Sequence, residues 1–208
     1  MDQTKLLSLF PESDIRIEGV ASALTALRNK ANMCQRCSLH EGRKNVVFGT
    51  GNIDSPPIAF VGESPGPAED DAGLPFVGRG GQLLDQMISA MGYKREDVYV
   101  CNVVNCRAKR KPEKEEVDAC NMFLTGQLRI VKPKMIVAMG ATAAQSLANS
   151  KKGIADLRNR WLEWKDKKSD LKIPMRATYH PTYLTKYPDK KSETWKDLQL
   201  VLSWIKGE

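Results

Sequence analysis

The stretch that decides the architecture is IAFVGESPGPAEDD, residues 58–71. Its first four residues are apolar and of strand length, and Gly62 ends the run. Beyond it, GESPGPAED holds two glycines and two prolines, the composition of a tight turn with exposed backbone. Working outward, three more short apolar runs stand at Val98–Cys101 (with Val103–Val104 following), Met135–Met139 and Met175–Thr178. Helical patterns separate them. Residues 80–92 put Leu83, Leu84, Met87, Ile88 and Met91 on one face, 112–131 open with Pro112 in the expected first turn and acids behind it, and 141–149 follow the third run. Further helices are expected over 17–33 and 192–207, and Trp161–Trp164 reads either as an extra strand or as part of a lid. Strand alternating with helix demands crossover connections and so a mostly parallel sheet with helices on both faces. The expected class is α/β, a three-layer α/β/α arrangement with a short, mostly parallel central sheet. Ligands bind beyond the carboxyl ends of such strands, which places residues 62–71, 102–107, 140–144 and 180–184 at the site.

Composition narrows the class. The chain has 208 residues and a formal net charge of +7, from 32 Lys and Arg against 25 Asp and Glu. That length suits one domain, an N-terminal helix and CxxC segment over 15–45 leading into a core over 46–208. No run approaches the ~18 apolar residues of a membrane span. MDQTKLLSLFPESD lacks the zones of a signal peptide, so an intracellular protein is expected. The charge is uneven: RAKRKPEK (107–114) holds five basic residues and one acid, whereas residues 63–71 hold four acids and no base. A solvated face is the ordinary reading of such a run. A basic surface around an acidic centre is also what a phosphate-backbone binder with buried carboxylates would carry.

Five cysteines without secretory context argue against a disulfide framework and for metal or cluster ligation. Cys34 and Cys37 form a CxxC, and Cys106 and Cys120 flank the basic loop. Four thiolates can hold a [4Fe–4S] cluster or a tetrahedral zinc, and buried free thiols are the alternative. Cys101, inside the second expected strand, reads as a small buried hydrophobe. Glu63, Glu69 and Asp70 fit water activation or stabilisation of a cation; without GxGxxG spacing or a P-loop lysine, the turn does not fit nucleotide binding. Phe76 in LPFVGRGGQ reads as core packing or as a stacking platform, and Asn102, at a strand end, as an ordinary turn former. His180, before a proline at the end of the fourth strand, is a better site candidate than His40.

Together GESPGPAED, LPFVGRGGQLLD, VCNVVNCR and HPTYL, with the CxxC and the spaced cysteine pair, resemble the family-four uracil-DNA glycosylases, iron–sulfur members of the uracil-DNA glycosylase superfamily. The resemblance runs from about Cys34 to the C-terminal helix. It implies a DNA-repair hydrolase that flips uracil out of single- or double-stranded DNA and cleaves its N-glycosidic bond, a monomer without membrane attachment. It implies catalytic roles for Glu63, Glu69 and His180, and substrate contacts from Gly62, Ser64, Asp70, Phe76 (stacking), Asn102 (base edge) and His180. It also implies a [4Fe–4S] cluster on Cys34, Cys37, Cys106 and Cys120. Arg107, Lys109, Arg110 and Lys111 are then expected to meet DNA, with Tyr183 and Leu184 as wedge residues. The match has departures: Ser64 stands where the family usually has Gly or Ala, Asn105 replaces a typical Lys, and Ala108-Lys109 replace a typical proline pair. A non-catalytic nucleic-acid binder of the same fold is the alternative, and the acidic turn argues against it because pure binding gains nothing from carboxylates at the pocket.

Overall fold

The computed structural model describes residues 12–207. The opening residues used above to argue against a signal peptide, 1–11, lie outside them. A long helix α1 (Glu12–Asn32) leads to the CxxC and a short helix α2 (Leu39–Gly42). Then follow β1 (Thr50–Gly51), β2 (Ile58–Gly62), α3 (Pro67–Ala72), α4 (Arg79–Ala90), β3 (Tyr99–Asn102) and α5 (Lys114–Val131). The second half holds β4 (Met135–Met139), α6 (Ala141–Ala148), α7 (Ile154–Leu157), β5 (Leu162–Lys165), β6 (Lys172–Thr178), α8 (Pro181–Lys186) and α9 (Lys191–Lys206).

The sheet order is β1-β3-β2-β4-β6-β5. The four inner strands are parallel, and the edge strands β1 and β5 pair antiparallel. β2 and β4 are buried at every position, which is why they read as unbroken apolar runs rather than as alternating ones. Alternate residues still serve opposite faces. Ala59 and Val61 pack with Leu24 of α1, Phe123 and Leu124 of α5 and Ala143 of α6. Ile58 and Phe60 pack with Leu84 and Ile88 of α4 and Leu198 of α9. The result is the expected three-layer α/β/α architecture. Register sets the carboxyl ends flush, Gly62 opposite Asn102 and Met139 opposite Thr178, so the loops after these strands rise from one edge.

Several local expectations change. Trp161–Trp164 belongs to the strand β5 and its approach, not to a lid. Pro112 lies before the α5 cap rather than in its first turn: Glu113 is the N-cap, and its N–H donates to Glu116 Oε2 at 2.8 Å. GESPGPAED is only half a turn, because Gly66 caps a helix whose first residue is Pro67. HPTYL likewise starts a helix, with the His180 side chain accepting from the Thr182 N–H at 3.2 Å. Cys101 is wholly buried, and desolvation pushes its thiol up to about 12, as suits an inert core residue.

Leu184, expected to wedge into DNA, is 1% exposed and packs among Phe76, Met139 and Leu198. Its position in α8, one residue past Tyr183, turns it inward because neighbours in a helix point about 100° apart. Leu184→Ala is therefore expected to cost ~2–5 kcal/mol of folding stability as a core cavity does, measured by denaturant unfolding.

Candidate active site

The carboxyl ends of the parallel strands open into a cleft of about 730 Å³ lined by Glu63, Ser64, Glu69, Phe76, Asn102, Ala141, His180, Thr182 and Tyr183, among others. Its floor is built around Gly62. A Cβ there would collide with Cζ of Phe76 and stand 2.5 Å from Oδ1 of Asn102. The missing side chain lets a ring and an amide meet over the strand end. Phe76 adopts φ 55°, a left-handed conformation that costs an aromatic residue ~1–3 kcal/mol and persists only where its surroundings enforce it. Its ring lies 5.7 Å from the His180 imidazole, tilted by 33°. The two rings wall one side of the cleft.

Polar groups are aimed into that wall's neighbourhood without protein partners. Asn102 is 2% exposed and its Oδ1 is buried and unpaired. His180 Nδ1 is taken by the Thr182 N–H, so the neutral ring carries its proton on Nε2, which is buried and unpaired. Burial pushes the His180 pKa down to about 4, against a smaller upward pull from Glu69. At neutral pH the cleft therefore presents an uncharged N–H donor and an amide, groups that cost ~1–3 kcal/mol each when left unpaired in a dry site. A planar ligand with carbonyl and N–H edges satisfies them.

The carboxylates divide into different tasks. Glu63 Oε2 accepts from the Thr142 hydroxyl at the start of α6, leaving its other oxygen for the cleft. Glu69 Oε1 accepts from the Val77 and Gly78 N–H groups at 3.0 and 2.8 Å and so fixes the loop that carries Phe76. Asp70, expected at the pocket, does not line it. It is 1% exposed and its Oδ1 accepts from the backbone N–H groups of Lys44 and Asn45 at 2.9 and 3.3 Å. One residue after Glu69 on a helix, its side chain points elsewhere. Tyr179, which also lines the cleft, precedes the HPTYL segment and escaped the sequence reading; Thr142 lies within residues 140–144, expected at the site, but nothing in that segment singled it out.

The four cysteines Cys34, Cys37, Cys106 and Cys120 line one small cavity, with Arg43 and Asn105. Arg43 Nη1 donates to the Cys34 carbonyl at 2.9 Å and to Cys106 Sγ at 3.1 Å, and the Asn105 N–H donates to Cys120 Sγ at 3.4 Å. Burial raises the Cys106 thiol and pushes that of Cys120 up to about 12. Both ends of the buried Asn105 amide lack a partner. Four soft donors, hydrogen bonds onto sulfur and an orphaned amide fit a thiolate-bound inorganic centre. Among the described residues no three His, Cys, Asp or Glu side chains are grouped to hold a single metal ion.

Of the basic loop, Lys109 and Lys111 are exposed and Arg107 is half-buried. Arg110 is committed elsewhere: its two Nη groups donate to Glu116 at 2.8 and 3.0 Å, and Glu113 lies 3.2 Å away. Its partner Glu116 is held down at about 2, chiefly by that guanidinium. Arg110 therefore fastens the loop to α5 rather than standing free for phosphate. Tyr183 is 38% exposed beside the cleft and stacks between Tyr179 and Tyr187, at centroid distances of 5.2 and 4.6 Å.

A mostly parallel α/β/α sheet thus carries at its carboxyl edge a cleft walled by an aromatic ring and a neutral histidine. Residues 48–199 match the uracil DNA glycosylase superfamily model. A type-4 uracil-DNA glycosylase of Thermotoga maritima is 42% identical over 86% of this chain and 93% of its own length. The type-4 enzymes of Pyrobaculum aerophilum and Archaeoglobus fulgidus are 36% and 37% identical, over 85% and 81% of this chain and 92% and 86% of theirs. The chain belongs to the uracil-DNA glycosylase superfamily.

His180 yields a pH expectation. Its folded pKa of about 4 lies below the ~6.5 of an unfolded histidine. Between those values the unfolded chain takes up a proton that the native site refuses, so this residue's contribution to stability is constant above the unfolded value and falls as pH drops through the window. The imidazole carbon-bound proton resonances of His180 should titrate near pH 4; an inflection near 6.5 would show an open, hydrated ring.

Proposed function

We propose that this protein is a uracil-DNA glycosylase: it removes uracil from DNA by hydrolysing the N-glycosidic bond and leaves an abasic site. The observation that carries this reading is the unpartnered Asn102 Oδ1 and the unpartnered His180 Nε2, both beside the Phe76 ring, in a cleft that also holds Glu63. Uracil offers an acceptor at O4 and a donor at N3–H, which one amide can satisfy together. Phe76 stacks on the ring. The bases of a duplex are out of reach, so the target nucleotide is flipped out, at a cost of a few kcal/mol. Tyr183 is placed to fill the vacated stack, and Lys109, Lys111 and Arg107 contact phosphates. The substrate is uracil-containing DNA, single- or double-stranded, and the enzyme works as an intracellular single-domain monomer.

Cleavage develops negative charge on the uracil carbonyls and positive charge on the sugar. His180 donates from Nε2 to the carbonyl that gains charge, and stays neutral beforehand because of its burial. Backbone groups at Gly62 and Ser64 border the base. The free oxygen of Glu63 faces the sugar, where it orients water and stabilises the cation; Thr142 holds the other oxygen. Glu69 acts through the loop it clamps. This division of labour resembles glycoside hydrolysis in the oxocarbenium character of its transition state. A non-catalytic binder would have no use for a carboxylate oriented by a dedicated hydroxyl.

The four-cysteine cage fits a [4Fe–4S] cluster. When bound, such a centre would tie the segment after α1 to the loop that carries the phosphate-contacting cations. Replacing Cys34, Cys37, Cys106 or Cys120 by Ser should lower bound iron, while Cys101→Ser should not; retention of iron by Cys106→Ser with loss in Cys101→Ser would overturn the assignment.

Alkali-labile sites in uracil-containing oligonucleotides test the activity directly. Within it, Asn102→Asp removes the donor to O4 and adds charge beside it. The expected loss is ~2–4 kcal/mol of transition-state stabilisation, by analogy with deleting one oriented donor, read as single-turnover rates on matched U- and C-containing strands. Near-normal uracil cleavage would move base reading to the backbone near Gly62.

A further inference from the structure

Asp70 is a buried carboxylate at the end of a motif full of site residues, yet it faces away from the cleft. Its surroundings show what it does. Oδ1 receives the N–H groups of Lys44 and Asn45. In return Asn45 Nδ2 donates to the carbonyls of Asp70 and Asp71 at 2.8 and 3.3 Å. Lys44 Nζ reaches Asp71 Oδ1 at 2.6 Å, an exposed pair of small worth. Residues 44–45 and 70–71 thus form a reciprocal knot whose centre is buried.

Each side of the knot leads somewhere. Arg43, the preceding residue, is anchored to the Asn32 and Cys34 carbonyls and to Cys106 Sγ. On the other side, Asp70 belongs to α3, a helix of only six residues, and follows Glu69 directly. Glu69 in turn holds the Val77 and Gly78 amides, next to the strained Phe76. Helix α3 has Gly66 as its N-cap, with no side-chain cap, and Gly73 as its C-cap. With so few residues, its place depends on tertiary anchors.

We propose that Asp70 is a positioning residue that acts through Glu69, by clamping α3 to the strap 43–45 that leaves the cysteine cage. This rests on the glycosylase reading for its activity measurements, though not for its structural one. The cage and the cleft are then mechanically joined: the strap holds Asp70, Asp70 holds α3, and Glu69 holds the loop that sets the Phe76 ring. Asp70→Ala frees α3. A shift of the loop by ~1 Å is enough to slow chemistry by up to ~100-fold, without removing any group that touches DNA.

The test is a double-mutant cycle. Asp70→Ala is expected to slow single-turnover uracil release by roughly 10- to 100-fold, with DNA affinity within about two-fold. Asp70→Asn keeps an acceptor oxygen for the two N–H groups and should recover most of the rate. Asp71→Ala, which breaks only the exposed pair, should match the wild type. In a Glu69→Ala background, Asp70→Ala should cost no more than about a further two-fold. Independent losses that multiply in that background overturn the proposal. The amide proton resonances of Val77 and Gly78 provide a measurement without substrate: they should move in Asp70→Ala, and unchanged resonances also overturn it. Should Asp70→Ala not fold, Asn45→Ala removes the opposite half of the knot, and the same cycle and resonances decide. If the wild type releases no uracil, the functional reading fails, and the resonances still decide the clamp.

Discussion

A Cβ on Gly62 would collide with the Phe76 ring and stand 2.5 Å from Oδ1 of Asn102, so the cleft depends on a strand that ends in a bare backbone. The register of the sheet then matters. Gly62 lies opposite Asn102, which sets the amide beside the ring at the level where the strands stop. The parallel order of the inner strands brings residues from 62–69, 102, 140–142 and 180 to that one edge. Chain segments over a hundred residues apart meet because crossover connections return every strand in the same direction.

The electrostatics follow from how each group is held. A histidine in an apolar wall stays neutral and offers a donor. Glu63 and Glu69 are kept as acceptors by a hydroxyl and by two backbone amides. The exposed Lys109 and Lys111 stand on a loop fixed by the Arg110–Glu116 pair.

The same side-chain type plays three parts within eight residues. Glu63 faces the cleft, Glu69 clamps a loop, and Asp70 ties α3 to the segment that follows the CxxC. Helical geometry separates the last two: adjacent positions on α3 point about 100° apart, so one carboxylate reaches the loop at 77–78 and its neighbour reaches 44–45. Leu184 and Tyr183 divide in the same way, one into the core and one toward solvent.

The sequence by itself determined the layer architecture and the strand ends from which the cleft rises. Buried parallel strands must be apolar throughout and must be followed by crossovers, so alternating runs and helical patterns reveal the sheet, and its carboxyl ends name the loops that matter. Motif residues Glu63, Phe76, Asn102 and His180 were legible for that reason, as were the four cysteines that share a cavity. Short elements such as β1, α3 and α8 were not, because two to six residues carry too little periodicity. The tertiary structure alone decided which way each polar side chain faces. Asp70 was drawn to two backbone N–H groups 25 and 26 residues away, and Thr142 to Glu63 across 79 residues. Those partners are set by long-range packing, where an unpaired buried charge costs several kcal/mol, and no local pattern of residue types records them.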